Sequence, residues 1–171
     1  LDVGANVGQY ACMLMDHGYK EKIVSFEPLS VCHESLKAKS KSKNNWYIHD
    51  RCAIGAKSGE VEINISENLV SSSVLNILDT HVQGEPSSKY VGKETVNVVP
   101  LDTVELPIAS NNILLKIDVQ GFEMAVLNGA SQVLERSKLV SVEMSFVSVY
   151  DNNDVSWKDV VDFMDRKGFY L

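Results

Sequence analysis

The stretch Asp2-Val3-Gly4-Ala5-Asn6-Val7-Gly8 decides the fold. Asp2 and Val3 read as the end of a short strand. Val7, Tyr10, Ala11 and Leu14 then recur at i, i+3, i+4 and i+7, one face of a helix that Gly18 closes. A glycine-rich turn from strand into helix lets a ligand approach the backbone and offers it a helix N-terminus. Ile23–Phe26 reads as the next strand, and Glu27 follows it, 19 residues after Gly8. A carboxylate there can accept hydrogen bonds from both hydroxyls of a ribose. Together these predict a nucleoside-binding βαβ unit.

The glycine spacing selects among nucleosides. A dinucleotide fingerprint G-x-G-x-x-G laid from Gly4 falls on Gly4, Asn6 and Gln9, so its second and third glycines are missing. The second matters most, because a pyrophosphate needs bare backbone there. The spacing D-x-G-x-G-x-G matches at Asp2, Gly4 and Gly8, with Asn6 substituted. It suits S-adenosylmethionine, which carries no phosphate and whose sulfonium is welcome in an acidic site.

Working outward, the alternation of strands and helices continues. Ser30 is expected to cap a second helix running to about Lys41, with Lys37 to Lys43 as its solvated face and exit. Trp46–His49 reads as a third strand. Val61, Ile63 and Ile65, and later Thr95 to Val98, alternate with polar residues, the period of half-exposed antiparallel strands. Ser66–Glu94 between them, rich in Ser, Gly and Asn, reads as a long, partly mobile hairpin connection that could cover a site. Ile113–Val119 is a nearly all-apolar, central strand. Glu123–Arg136 reads as a helix broken near Gly129, and Leu139–Phe146 as a further strand. Ser156 and Asp159 form a capping box for a last helix, which Gly168 ends. The expected fold class is α/β: a mostly parallel Rossmann-like sheet with helices on both faces and an antiparallel hairpin insertion. Residues 1–171 read as one domain. Its first residues are already a strand end and its last the start of another, so a fragment trimmed at both ends is expected.

A chain of 171 residues with 44% hydrophobic residues suffices for one buried core. Sixteen Lys and Arg against 23 Asp and Glu give a net charge of −7, which disfavours nucleic acid or an anionic membrane as partner. The longest apolar runs fall short of a membrane span. The three cysteines, Cys12, Cys32 and Cys52, have no disulfide or zinc spacing and read as buried thiols of a reducing, cytoplasmic compartment. His17, His33, His49 and His81 show no metal spacing. His17 and His33 are expected on helix surfaces, and no metal is expected. The sequon at Asn64 reads as chance, and the oligomeric state is left open.

The candidate for chemistry is Asp118, within Leu115-Lys116-Ile117-Asp118-Val119-Gln120-Gly121-Phe122-Glu123. It falls at the carboxyl end of the central strand, where ligands bind in open α/β sheets. A carboxylate among apolar strand residues needs a role or a partner. Lys116, on the same face by alternation, is the competing structural partner. Glu143, at the end of the following strand, meets substrate or caps. His81 is a second, weaker candidate for a base.

The motifs D-V-G-A-N-V-G, S-F-E-P, P-L-D-T and L-K-I-D-V-Q-G-F-E-M-A-V-L-N-G-A, in that order from Asp2 to about Glu143, resemble the FkbM-type S-adenosylmethionine-dependent methyltransferases. The resemblance implies a class I methyltransferase fold and O-methylation of a sugar or another hydroxylated small molecule. It implies that Asp2, Gly4, Asn6 and Gly8 line the methionine end of S-adenosylmethionine, that Glu27 holds the ribose, that Asp50 approaches the adenine, and that Asp118 lies beside the transferred methyl group. Gln120 stands where the family often has Glu, Arg51-Cys52-Ala53 replaces its N-x-A, and the last strands of a complete class I sheet are lacking. Two other readings stand beside this one. One is a non-catalytic nucleoside-binding remnant or scaffold; the other, disfavoured by the glycine spacing, is a nicotinamide-dependent oxidoreductase.

Overall fold

Strand β1, Asp2–Val3, is the hinge of the topology in the computed structural model, which describes residues 1–151, 153 and 155–171. Strands β2 (Ile23–Phe26) and β3 (Trp46–Ile48) lie to one side of it. On the other side lie β7 (Ile113–Ile117) and β8 (Ser137–Val142). The order is β3-β2-β1-β7-β8, and every pairing is parallel. Asp2 sits between Ser25 and Lys116, and Val3 between Phe26 and Ile117. The strand order reverses at β1, which makes the carboxyl ends of β1, β2 and β7 the switch point where a crevice opens.

Strand alternation divides the core between two faces. Val24 and Phe26 join Leu115, Ile117 and the helices α4 (Glu123–Asn128), α5 (Ser131–Glu135) and α6 (Trp157–Arg166). Ile23 joins Trp46 and the helices α1 (Gln9–Asp16) and α2 (Ser30–Ser40) through Ala11 and Leu36. The break expected near Gly129 separates α4 from α5. Asp102, from P-L-D-T, caps α5 across space, accepting from the amides of Gln132 (3.0 Å) and Val133 (3.1 Å). The capping box of α6 forms, with the Ser156 amide donating to Asp159 Oδ2 at 2.7 Å.

Between β3 and β7 the chain builds a second sheet, ordered β4-β6-β5. β5 (Gly59–Ser66) and β6 (Tyr90–Val99) are the expected antiparallel hairpin. β4 (Ala53–Ile54) adds a short parallel partner to β6, which two residues of sequence did not announce. This sheet packs on α2 through Leu29, Cys32, Ile63 and Val96.

Several local expectations are corrected. Ser30 is the first helical residue of α2, not its cap; Leu29 holds that position, and the Ser30 amide donates to Glu94 Oε2 at 2.9 Å. The segment between β5 and β6 carries a helix, α3 (Asp79–Gly84), and is tied down by polar side chains. Asn64 Nδ2 donates to the carbonyls of Ser73 (3.2 Å) and Leu75 (3.1 Å), and the Tyr90 hydroxyl also donates to Leu75 O (2.7 Å). His33 is 6% exposed rather than on the surface, its Nε2 lying 2.8 Å from the His49 carbonyl. Cys32 and Cys52 are buried, and burial pushes their thiols up to about 12 and about 11, which leaves them unreactive. Asn64 is 6% exposed with its amide occupied, so the folded chain presents no usable sequon.

Candidate functional site

A cavity of about 580 Å³ opens at the switch point, within the range of small-molecule sites. Its floor is the β1–α1 turn, Gly4 to Asn6, and its walls are the ends of β2 and β7. The segment Leu69–Val74 of the insertion, with Ala53 and Ile54 of β4 and Ile63 of β5, supplies much of the remaining lining.

The turn at the floor is shaped by left-handed backbone, with φ of +76° at Gly4, +48° at Asn6 and +89° at Gly8. At Gly4 a Cβ would fall 1.8 Å from the backbone oxygen of Asp118, so this glycine lets the ends of β1 and β7 touch. At Gly8 a Cβ would strike the Trp46 ring at 2.5 Å and Leu36 at 2.9 Å. Gly8 faces helix–sheet packing and does not line the cavity.

Glu27 stands at one end of the cavity, 4% exposed. The Asn6 amide donates to its Oε2 at 2.7 Å and the Leu29 amide to its Oε1 at 2.9 Å. Burial pushes its carboxyl up to about 7, against the pull of those two amides. Each carboxylate oxygen keeps a second acceptor position.

Asp118 stands at the other end, one residue past β7. Lys116 Nζ lies 3.2 Å from its Oδ2, so the structural partner anticipated from alternation is present. Lys116 also reaches Asp2 Oδ1 at 3.4 Å and donates to Gly4 O at 3.2 Å. Asp2 is 1% exposed and lies beneath the cavity rather than in its lining; its Oδ1 accepts no hydrogen bond, and the Lys116 contact is ionic only. Burial raises the Asp2 carboxyl, with Lys116 opposing.

Gln120 ties Asp118 to Glu143. Its Nε2 donates to Asp118 Oδ1 at 2.9 Å and to Glu143 Oε2 at 2.6 Å, while its Oε1 accepts from the Tyr150 hydroxyl at 2.9 Å. Burial pushes the Asp118 carboxyl up, but hydrogen bonding with Glu143, the Lys116 charge and Gln120 together hold it below the ordinary range. Glu143 moves the other way, raised first by its hydrogen bond with Asp118 and then by burial. The shifts run in opposite directions, which makes Glu143 the stronger base of the pair.

Among the residues singled out in the sequence, the structure brings Gly4, Asn6, Glu27, Asp118 and Glu143 into one lining. Gly8 and Asp2 support it from outside, while Asp50 is exposed beyond β3 and absent from it. His81, on α3, is also absent from it. The connection Ser66–Glu94 was read as able to cover a site, and its stretch Leu69–Val74 does supply lining, whereas Tyr150 was missed because it carries no motif. Gln120 was visible only as a departure from a pattern. No group of three or more His, Cys, Asp or Glu that could hold a metal occurs among the described residues, and no described helix is long and apolar enough to cross a membrane.

A five-stranded parallel sheet with its crevice at the reversal of strand order, and carboxylates in the lining of that crevice, defines a Rossmann-like α/β domain. The methyltransferase FkbM domain model matches residues 2–171, and the chain belongs to that family. It is 26% identical to the methyltransferase sdnD of Sordaria araneosa, over 77% of this chain and 60% of the relative's length. It is 24% identical to the hexuronic acid methyltransferase AglP of Haloferax volcanii, over 84% of this chain and 54% of that protein. The chain thus spans less than two thirds of each of these curated relatives. No solved structure gives a significant match.

Proposed function

We propose that the chain is one S-adenosylmethionine-dependent domain that methylates a hydroxyl oxygen of a sugar. The observation that carries this reading is the charge of the cavity. Its lining holds Glu27, Asp118 and Glu143 against one cation, Lys116, whose charge is already shared between Asp2 and Asp118. That donor set suits a ligand with ribose hydroxyls and a positive centre. It offers no free cation to a pyrophosphate, which argues against a nicotinamide dinucleotide. The residues present therefore fit the methyl donor. Glu27 would hold the ribose, the Gly4–Asn6 turn the amino-acid tail, and Cys52, Ala53 and Ile54 the apolar base. The name of the relative AglP supports a sugar as acceptor.

The bound donor supplies an electrophilic methyl group, so the protein's share is alignment and proton removal. Asp118 and Glu143 present acceptor oxygens at one end of the cavity. Gln120 fixes their spacing and Tyr150 fixes Gln120. A hydroxyl delivered there loses its proton to the carboxylate pair, with Glu143 the better acceptor. Lys116 keeps Asp118 ionised and stops the two acids from repelling each other apart.

Calorimetry with S-adenosylhomocysteine tests the donor. One site is expected, with affinity lowered about 10- to 100-fold in Glu27→Ala, which leaves ribose hydroxyls unpaired. NADH is expected to give no heat. Binding of NADH but not of S-adenosylhomocysteine would sink the reading. Transfer of labelled methyl to methyl glucuronide, set beside a panel of non-sugar alcohols, tests the acceptor.

A further inference from the structure

A second cavity, of about 430 Å³, lies on the far side of the Gln120–Glu143 wall, and both residues line the two cavities. It is built by the segment that follows β8, from Glu143 to Tyr150, and by the start of α6. Tyr150 is buried at its base, its hydroxyl held by Gln120. At its outer side Phe146 is 78% exposed, an unusual state for an aromatic ring beside a cavity. That ring is not loose. Its centroid lies 5.4 Å from that of Trp157 at an interplanar angle of 69°, an edge-on contact that fixes one aromatic against another. Lys158 lies over Trp157, its ammonium 5.6 Å from the ring centroid.

The mixture is specific. A purely apolar alcohol would displace water from the Glu143 carboxylate and the Ser145 hydroxyl and offer them no hydrogen bond in return. A purely polar ligand would gain nothing from Phe146. A pyranose has both kinds of surface: a face of C–H groups that lies against an aromatic ring, and a rim of hydroxyls for carboxylate and amide groups.

We propose that this second cavity is the acceptor subsite, where a pyranose lies on Phe146 and Trp157 and turns one hydroxyl through the Gln120–Glu143 wall. The proposal rests on the first cavity holding S-adenosylmethionine. The hydroxyl oxygen forms the new C–O bond as the donor's C–S bond breaks. That electron pair stays on sulfur, giving the neutral thioether, and the hydroxyl proton passes to the Asp118–Glu143 pair.

Saturation-transfer NMR on the full chain with S-adenosylhomocysteine tests this, with methyl β-D-glucopyranoside as probe and cyclohexylmethanol as the apolar control. The glucoside is expected to receive saturation and the control to receive little. Phe146→Ala should weaken glucoside binding at least fivefold and Phe146→Trp should restore it, with S-adenosylhomocysteine affinity within twofold of wild type in both. Because Phe146 is so exposed, its replacement is expected to leave the melting temperature unchanged. No transfer to the glucoside in wild type, equal transfer in Phe146→Ala, or binding of cyclohexylmethanol alone would overturn the proposal. Absence of S-adenosylhomocysteine binding to wild type, seen separately by calorimetry, would overturn the reading of the first cavity instead.

Discussion

Glu27 and Asp118 follow the strands on either side of β1, yet they are held in opposite ways. Glu27 is gripped by main chain, the amides of Asn6 and Leu29, and its place is set by the turn itself. Asp118 is gripped by side chains, Lys116 and Gln120, each of which serves other partners. Main-chain amides hold a group in place without offering it a titratable partner. Side chains hold a group in a network whose protons can be redistributed. The first arrangement suits recognition and the second suits chemistry.

The sharpest way to break this contrast is Asp118→Asn, which keeps shape and hydrogen-bonding reach while removing the charge. Turnover in a labelled-methyl assay is expected to fall about 10²–10⁴-fold, with S-adenosylhomocysteine affinity nearly unchanged. A loss of affinity with recovery of rate at saturation would make Asp118 an anchor and erase the distinction. Next in size is Gly8→Ala. The new methyl must enter left-handed backbone and press on Trp46, at a cost on the order of 3 kcal/mol. Chemical denaturation should record it, while affinity measured on the folded fraction stays at the wild-type value. That outcome would place Gly8 in the support of the recognition end rather than in contact with the ligand.

The third test uses protons. Glu27 is raised from 4.5 to about 7, so the folded protein binds the proton more tightly than the unfolded chain. This stabilisation is complete below about pH 4.5 and is lost as pH rises through about 7. Measured without ligand, the stability of wild type relative to Glu27→Gln should fall by on the order of 2–3 kcal/mol from pH 4 to pH 8. A flat difference would mean that the buried carboxylate is fully compensated by its two amides. The smallest effect is expected from Ser73→Ala. The Ser73 hydroxyl donates to Gln120 O at 2.5 Å and accepts from the Leu75 amide at 3.0 Å. Its loss should cost about 1 kcal/mol in thermal or denaturant melts and raise KM for the acceptor modestly.

The parallel frame was legible because its strands are short apolar runs separated by helical periodicity, and Ile23–Phe26 was read to the residue. Both carboxylate ends of the cavity were legible for a related reason: Glu27 and Asp118 are charges at the ends of apolar strands. The insertion was half legible. β5 and β6 alternate, but β4 is two residues long, and the segment between β5 and β6 owes its order in part to Asn64 bonding to Leu75 and Asn68 to Ser87, 11 and 19 residues along the chain, which no local pattern encodes. The glycines carry a second demand that the sequence does not show. The turn reads as bare backbone for a ligand, and Gly4 does line the cavity, but Gly4 and Gly8 are also required by contacts with Asp118 and Trp46. Glu143 was read as meeting substrate or capping, and its link to Asp118 runs through Gln120, whose own backbone is left-handed at φ +56°.

The insertion leaves the main sheet and returns to it at one place. Ala53 pairs with Val98 and Ile54 with Val99, and the Gly55 amide donates to Val99 O at 3.1 Å. A segment whose two junctions are hydrogen-bonded neighbours behaves as a cassette. It can be varied or exchanged for that of another protein without shifting the strands that carry Glu27 and Asp118, provided that its ties to Gln120 through Ser73 and to Val149 and Asp151 through Leu78 and Asn76 are kept. Since this cassette supplies Leu69 to Val74 over the crevice, recombination at these two junctions would change what the crevice admits while the machinery beneath it stays in register. That makes residues 55 and 99 the natural cut points for building chimeras with altered acceptor range.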